Sequence, residues 1–484
     1  MREKYESLSL AVLKDLAKAR GLKLSSGMKK ADVIEAMLAE DEKEKNASSK
    51  KENVEKKEEK KEKKEKKEKK KEEKPVAEVA VEEQIAEADE AISENQNNDS
   101  EISEEKKSLD SGIEAHGILE VLQEGYGFIR SDNFMPGTND VYVAPSQIRR
   151  FGLKTGDIVT GNMRVRNTTD KFGALLFVKT INGLTPEELS KRKNFEDLTP
   201  IFPNERLRLE TEGGPVAMRI MDLMSPVGKG QRGMIVSPPK AGKTTLLKEV
   251  AKSILSNNKE MHLMILLIDE RPEEVTDIKE AIHGENVEVI YSTFDELPEH
   301  HKRVSEMVIE RAKRLVEHGK DVTILLDSIT RLTRAYNLTV PPSGRTLSGG
   351  LDPAALHMPK RFFGAARNMR EGGSLTVLAT ALIETGSKMD DVVYEEFKGT
   401  GNMEMVLDRK LSEKRVFPAI DIPRSGTRRE DLLLTKEEQE AMTTIRKALN
   451  GLKADEAVEK ILDMFVRTPS NKEFVQLVKK IHFV

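Results

Sequence analysis

The sequence predicts an α/β protein in which a small helical unit and a five-stranded β-barrel precede a mostly parallel β-sheet flanked by helices. Three patterns in the 484 residues lead to this fold class. Helically spaced apolar residues mark the start of the chain, short β-prone runs follow, and apolar strand runs then alternate with helical periods. We expect five segments, with bounds 1–40, 41–111, 112–185, 186–215 and 216–484.

Two apolar stripes at helical spacing predict the N-terminal helical unit, residues 1–40. Leu10, Leu13 and Leu16 belong to the first stripe, and Ile34 and Leu38 to the second.

Residues 41–111 form a charged low-complexity insert, with a Lys/Glu tract before an acidic stretch. The net charge of −4 conceals this segregation, because 43–74 carry roughly +6 and 78–110 roughly −10. Large apolar groups are too few there to offset the entropy cost of ordering, so we expect disorder.

The composition narrows the possible chemistry and compartment. Cysteine and tryptophan are both absent, which excludes disulfides, thiolate zinc sites and cysteine nucleophiles and favours a reducing, cytoplasmic compartment. No run approaches about 20 apolar residues, and the N-terminus lacks a signal-peptide pattern, so we expect neither secretion nor contact with a membrane.

Five short β-prone runs predict a small barrel within residues 112–185. Gly, Asp and Asn separate the runs, which are 118–122, 127–130, 140–143, 157–166 and 174–179. The connector 186–215 is punctuated by proline, and helical spacing of apolar residues from about 435 onward predicts C-terminal helices.

A phosphate-binding loop is expected between the apolar strand 234–236 and the helical period that starts near Leu246. Backbone N–H groups of such a loop face phosphates, Lys243 reaches the β and γ oxygens, and Thr244 holds Mg²⁺. Ser237 replaces the first glycine of the general P-loop pattern. The alternative is an ordinary Pro/Gly-rich turn, but Gly-Lys-Thr between a strand and a helix favours nucleotide binding.

Two later apolar strands end in carboxylates. Strand 263–268 runs into Asp269 and Glu270, and strand 322–326 into Asp327. Parallel strands end at one sheet edge, so we expect Asp327 to hold Mg²⁺ through water and Glu270 to orient the attacking water. Helix capping is the alternative for either residue alone.

The run 228–233 matches G-x-G-x-x-G but precedes its strand, whereas a dinucleotide fingerprint follows one. We therefore expect its glycines to let the backbone pass close to the nucleotide.

Tyr126 and Phe128 alternate along one strand between glycines, and Tyr142 adds a third ring. Such rings stack on unpaired bases, with Arg130 and Asp140 contacting base edges; a half-buried core pair is the alternative. Two flexible segments, 341–350 and 384–389, each carry one cation, Arg345 and Lys388. Their spacing alone favours solvated loops.

Taken together, these motifs resemble the Rho transcription termination factor family, weakly over 1–40 and continuously from about 112 to 484. The matching segments include Gly-Tyr-Gly-Phe-Ile-Arg, Pro-Pro-Lys-Ala-Gly-Lys-Thr, Leu-Ile-Asp-Glu-Arg-Pro-Glu-Glu-Val-Thr and Leu-Leu-Asp-Ser-Ile-Thr-Arg. The resemblance implies an OB or cold-shock-like RNA-binding barrel, a RecA-like ATPase domain and a homohexamer. It also implies that single-stranded RNA passes through the ring and that ATP and Mg²⁺ drive transcript release from RNA polymerase.

The resemblance also assigns roles residue by residue. Lys243, Glu270 and Arg428 would be catalytic, with Arg428 reaching a neighbouring subunit's γ-phosphate. The ATP-binding residues would be Gly228, Lys229, Gly230, Gln231, Arg232, Gly233, Lys240, Ala241, Gly242, Lys243, Thr244, Thr245, Arg271 and Phe417. The metal ligands would be Thr244 and Asp327.

Two RNA sites follow from the same resemblance. The primary site would comprise Gly125, Tyr126, Gly127, Phe128, Ile129, Arg130, Asp140, Val141, Tyr142, Asp170, Lys171 and Phe172. The secondary site would comprise Arg345, Thr346, Leu347, Ser348, Gly349, Gly350 and Lys388. The insert has no counterpart in compact family members, and an inert tether, an RNA-contacting segment and a self-association region stay open as its role.

Two alternatives to a translocating helicase remain. A rotary-type ATPase subunit shares the sheet and the loop but lacks the stacking rings. An RNA chaperone with the ATPase fold as a scaffold would not need Glu270.

Overall fold

The computed structural model describes residues 109–166, 171–189, 192–449 and 454–480. The expected helical unit at 1–40, nearly all of the insert 41–111, and Asp170 lie outside the described residues. Among the helices of the described part, none is long and apolar enough to span a membrane.

The predicted five-stranded barrel is confirmed, and it is closed in the order β1-β2-β3-β5-β4. Its elements are β1 Asp110–Val121, β2 Gly127–Arg130, β3 Val141–Val143, α1 Pro145–Phe151, β4 Ile158–Arg164 and β5 Gly173–Ile181. Alternate residues such as Leu119, Ile129 and Val159 point into its core. Gly161 permits the closest approach, since a Cβ there would lie 2.1 Å from the Phe177 carbonyl oxygen.

Short elements connect the barrel to the larger domain. They are α2 Pro186–Leu189, β6 Pro200–Ile201, β7 Arg206–Leu207, α3 Val216–Met224 and β8 Val227–Gly228.

A nine-stranded sheet forms the larger domain, and its main path is β11-β10-β12-β14-β9-β15-β16. The strands are β9 Arg232–Ser237, β10 His262–Glu270, β11 Val287–Thr293, β12 Asp321–Asp327, β13 Arg367–Met369, β14 Ser374–Leu382, β15 Met403–Val406 and β16 Gly426–Thr427, and the ninth is β6, which pairs with β13. Neighbours from β11 to β15 along the path pair in parallel. This arrangement confirms the α/β prediction, because buried parallel strands need the continuous apolar runs seen in the sequence.

Helices cover both faces of this sheet. They are α4 Lys243–Asn257, α5 Pro272–Ala281, α6 Pro298–Glu317, α7 Ile329–Thr339, α8 His357–Gly364, α9 Lys388–Lys398, α10 Arg409–Glu413, α11 Lys436–Leu449, α12 Ala454–Val466 and α13 Asn471–Lys480. One apolar core includes residues of α3, α4 and the C-terminal helices, and the other includes residues of α6 to α9.

The barrel packs on α6 through polar contacts. Arg311 donates a hydrogen bond to Asn182 Oδ1 at 2.7 Å, and Lys154 lies 3.3 Å from Glu317. Gly156 touches the helix so closely that a Cβ there would lie 2.5 Å from the Glu310 carbonyl carbon.

Candidate nucleotide site and nucleic-acid interface

The expected P-loop joins β9 to the first turn of α4. Gly242 (φ 90°) immediately precedes the helix, which begins at Lys243, and Lys240 also has positive φ, at 63°. Ser237 fits in place of glycine because it ends β9 in extended backbone, and its hydroxyl donates to the Pro238 carbonyl at 2.8 Å. The helix N-terminus therefore faces the loop with unpaired N–H groups suited to phosphate.

Lys243 lies between the two predicted carboxylates. Its Nζ is 3.0 Å from Glu270 Oε1 and also hydrogen-bonds Asp327. These residues meet because β10 and β12 are parallel neighbours and Asp327 aligns with Leu267. The sheet edge thus brings together three groups that are far apart in sequence.

Two supporting residues were not assigned roles from the sequence. Thr380 on β14 donates to Asp327 Oδ1 at 2.8 Å, and Arg331 on α7 lies 3.3 Å from Glu270 Oε2. Arg331 ends the matching segment Leu-Leu-Asp-Ser-Ile-Thr-Arg, which was the available signal. Thr380 had none, since it is one residue of an apolar strand.

Burial and nearby charges shift the pKa values of Lys243 and Glu270. Burial raises the pKa of Glu270, and Asp327 raises it further, while Lys243 and Arg331 oppose this. Burial alone would lower the pKa of Lys243, but Asp327 and Glu270 outweigh it and raise that pKa. Lys243 therefore stays charged, and Glu270 is a more basic carboxylate than an ordinary glutamate.

The donor set near the loop suits Mg²⁺. Thr244 Oγ1 lies 3.5 Å from Glu274 Oε2, and Asp327 lies at the same edge. Among the described residues, no group of three or more His, Cys, Asp or Glu forms a complete metal site. A hydroxyl and a carboxylate that leave further positions to phosphate and water match how Mg²⁺ is usually bound.

Phe417 and Arg271 lie near this edge. Ser412 on α10 donates to the Lys240 carbonyl at 2.9 Å, which ties the P-loop to the segment that carries Phe417. The Phe417 ring is 52% exposed and so available for stacking. Arg271 follows Glu270 and begins α5 as its N-cap.

The run 228–233 is distant from the P-loop of its own chain. These residues lie at the amino end of β9, whereas the P-loop follows its carboxyl end, roughly 17 Å of strand away. A Cβ at Gly230 would lie 2.2 Å from the Asn368 backbone nitrogen. The glycines therefore permit close packing on residues 367–368.

Arg428 also lies near the amino end of β9, on the side of the sheet away from the P-loop. It follows β16, whose Thr427 pairs with Met403, which in turn pairs with Gly233. Burial lowers the pKa of Arg232, and the nearby charges of Arg367 and Arg428 lower it further. Arg428 is therefore an exposed arginine in a cationic cluster, remote from the P-loop of its own chain.

Four rings cluster on the barrel face. Phe128 makes edge contacts with Tyr126, Tyr142 and Phe172 at centroid distances of 5.8, 5.9 and 5.2 Å. All four rings are only partly buried, so they form a surface cluster rather than core. Lys171 lies 5.2 Å from the Phe172 centroid and adds positive charge.

Arg130 and Asp140 are less accessible than expected for residues that contact bases. They pair with each other, and Arg130 and Asp140 are 5% and 2% exposed. Within the described residues, Asp140 Oδ1 has no hydrogen-bond partner. This acceptor is buried, so a base could reach it only if the surrounding side chains moved.

The two cation-bearing segments meet. A Cβ at Gly349 would lie 2.4 Å from the Met389 backbone nitrogen, so the segment with Arg345 packs on the start of α9, where Lys388 lies. Both cations are exposed. Sequence spacing did not predict this contact.

Comparisons with known proteins agree with this two-part organisation. Residues 115–187 match the family model "Rho termination factor, RNA-binding domain", and residues 217–427 match "ATP synthase alpha/beta family, nucleotide-binding domain". Transcription termination factor Rho of Bacillus subtilis (strain 168) is 57% identical over 365 residues, which cover 75% of this chain and 84% of that protein. Rho of Escherichia coli (strain K12) is 55% identical over 369 residues, covering 75% and 87%. A solved ATPase from a type III secretion system has a TM-score of 0.49 and 22% identity, covering 58% of this chain and 86% of that one.

Proposed function

The chain belongs to the transcription termination factor Rho family, and on that premise we propose that it is an ATP-dependent RNA helicase that releases nascent transcripts from RNA polymerase. It is an RNA-binding, ATP-hydrolysing enzyme. The observation that carries the proposal is the joint presence of the aromatic barrel face and the Lys243–Glu270–Asp327 site in one chain.

Hydrolysis begins with competition for Lys243. Bound phosphate draws the Lys243 ammonium from Glu270 and Asp327, and Glu270 is then free to accept the proton of the attacking water. Thr244 and Asp327 would hold Mg²⁺, which neutralises phosphate charge when bound. Arg271 and Phe417 contact the nucleotide, the latter through adenine stacking.

A neighbouring subunit completes each site. Arg428 is an arginine finger in trans, and Arg232 and Arg367 add positive charge around it. We place the six residues 228–233 at this subunit interface, not at their own P-loop. A cytoplasmic homohexamer satisfies this geometry because a closed ring gives every P-loop a neighbour.

RNA is bound at two places. The rings of Tyr126, Phe128, Tyr142 and Phe172 stack on bases, and the Asp140 carboxylate accepts a hydrogen bond from a base amino group such as N4 of cytosine. The expected preference for cytosine over adenine comes from the resemblance to the Rho family. The contacting loops with Arg345 and Lys388 form the secondary site and grip the RNA backbone in the ring.

The test is ATP turnover of the full chain with homopolymer RNAs. We expect little hydrolysis without RNA, strong stimulation by polycytidylate and weak stimulation by polyadenylate. Turnover that ignores all RNA would favour the rotary-type alternative, and equal stimulation by both polymers would refute the assigned base preference. A chain lacking residues 41–108 tests the insert without shortening β1, and we expect unchanged stimulation.

A further inference from the structure

One carboxylate joins the aromatic face of the barrel to the ATPase domain. Glu120 Oε2 lies 2.9 Å from Arg130 Nε on β2 and 2.7 Å from Arg303 Nη2 on α6. The Glu120 and Arg130 side chains are 14% and 6% exposed, so water screens their pair weakly, whereas the Arg303 side chain is 36% exposed. Two arginines from different domains thus share one oxygen.

The barrel end of this connection lies under the base-stacking rings. The Arg130 guanidinium carbon is 4.8 Å from the Phe128 centroid, and Arg130 also pairs with Asp140. A base that stacks on Phe128 or bonds to Asp140 changes how Arg130 divides its donors between Asp140 and Glu120. When the hydrogen bond between Arg130 and Glu120 strengthens or weakens, the contact between Glu120 and Arg303 changes as well.

The other end lies close to the catalytic carboxylate. Arg303 is two residues beyond His301, whose Nδ1 is 2.7 Å from Ser292 Oγ on β11. The next residue, Thr293, pairs with Glu270, and the Phe294 amide donates to the Glu270 carbonyl at 3.1 Å. The first turns of α6 are therefore tied to the backbone that carries Glu270.

A second tether runs in parallel. Asn133, in the loop after β2, donates to the Tyr291 carbonyl at 2.7 Å and accepts from its amide at 3.1 Å. β11 is an edge strand, so Asn133 supplies both hydrogen bonds that another strand would give to Tyr291. The barrel thus touches α6 and β11, the two elements next to Glu270.

We propose that Glu120 and Arg303 are positioning residues that transmit occupation of the barrel's RNA site to Glu270 in the same subunit. The inference rests on the RNA-dependent hydrolysis proposed above. Neither residue touches nucleotide; they set the position of α6 and β11 and through them the backbone of Glu270.

A second ion pair between the barrel and α6 provides a control. It distinguishes transmission of RNA binding to Glu270 from simple docking of the barrel on the ATPase domain. Lys154–Glu317 also joins the barrel to α6, but at the opposite end of the helix. Within the part of the chain that the structure describes, Arg130 pairs with Glu120 and Asp140 and not with Lys154 or Glu317. Removing either pair weakens docking, whereas only Arg303 connects to the rings.

The experiment compares full-length R303Q, E120Q, E120Q/R303Q and K154Q with the unaltered chain. Binding of a labelled cytidine-rich RNA and RNA-stimulated ATP turnover are both measured, with thermal unfolding as a folding control. We expect R303Q to bind RNA within about twofold of the unaltered chain and to keep its turnover without RNA. Its maximal turnover with saturating RNA should fall about fivefold or more.

The double variant supplies the second criterion. If the pair acts as a unit, R303Q in the E120Q background lowers stimulated turnover by no more than about twofold. The inference is overturned if R303Q leaves maximal turnover unchanged, if K154Q reduces it equally, or if the two substitutions act additively. Failure of the proposed function is distinguishable, because the unaltered chain itself would then not respond to RNA.

Discussion

At the scale of single residues, Glu270 has the clearest chemical role. Its carboxylate pairs with Lys243, and burial raises its pKa. We predict that E270Q lowers RNA-stimulated turnover by about 10² or more, because a positioned base contributes that much, while ATP binding is kept. Turnover and equilibrium nucleotide binding measure the two effects. E273Q, at an exposed residue close in sequence, is the control. Unchanged turnover in E270Q would support the RNA-chaperone alternative.

Arg331 should set the acid limit of hydrolysis. Glu270 must be ionised to accept a proton; burial and Asp327 raise its pKa, whereas Arg331 lowers it. Turnover should therefore decline on acidification at a pH above the ordinary glutamate value of 4.5, and R331Q should move this decline to still higher pH. Turnover against pH with saturating ATP and RNA gives the measurement. R331K keeps the charge and should keep the profile; an unmoved profile in R331Q would contradict the assignment.

Phe128 is central among the four rings of the barrel face. Loss of base stacking costs about 1–3 kcal/mol per base, so F128A should weaken cytidine-rich RNA binding by about fivefold to a hundredfold. Fluorescence anisotropy with labelled RNA measures the loss. F177A is the control, because Phe177 is an exposed ring of β5 outside this cluster. Equal effects of the two substitutions would show that the cluster is not the binding surface.

At the scale of elements, the contact between the segments that carry Arg345 and Lys388, for which we propose RNA binding, depends on Gly349. Gly349 and Gly350 have φ of 80° and 83°, but only a Cβ at Gly349 meets the backbone of 388–389. Both alanine substitutions carry a similar backbone strain, and only G349A forces the loops apart. We predict that G349A reduces RNA-stimulated turnover about fivefold more than G350A. RNA-stimulated turnover of the two variants is compared, and equal losses would refute a role for the contact.

At the scale of the whole molecule, each ATP site should need two subunits. Arg428 lies at the opposite edge of the sheet from its own P-loop. K243A and R428A homo-oligomers should each be nearly inactive, since arginine fingers of GTPases contribute about 10³ to 10⁵ in rate. After subunit exchange, the mixture should recover turnover, because some interfaces then combine an intact P-loop with an intact finger.

The control for this mixing experiment is K243A exchanged with K243A/R428A, in which no interface is intact. Recovery only in the first mixture supports the shared site. If the first mixture stays inactive after exchange is verified, Arg428 does not act in trans.

The order of the barrel and the α/β domain was predictable from the sequence, and so was the choice of Lys243, Glu270 and Asp327 as candidate site residues. Local patterns suffice for this, because strand periodicity, a Gly-Lys-Thr turn before a helix and carboxylates after apolar strands are properties of neighbouring residues. Which distant groups come into contact depends on the tertiary packing. Strand order brought Thr380 to Asp327 and placed 228–233 and Arg428 away from the P-loop, and barrel docking made Glu120 the shared partner of Arg130 and Arg303. These contacts depend on how separate elements pack, and that packing cannot be predicted from residue spacing along the sequence.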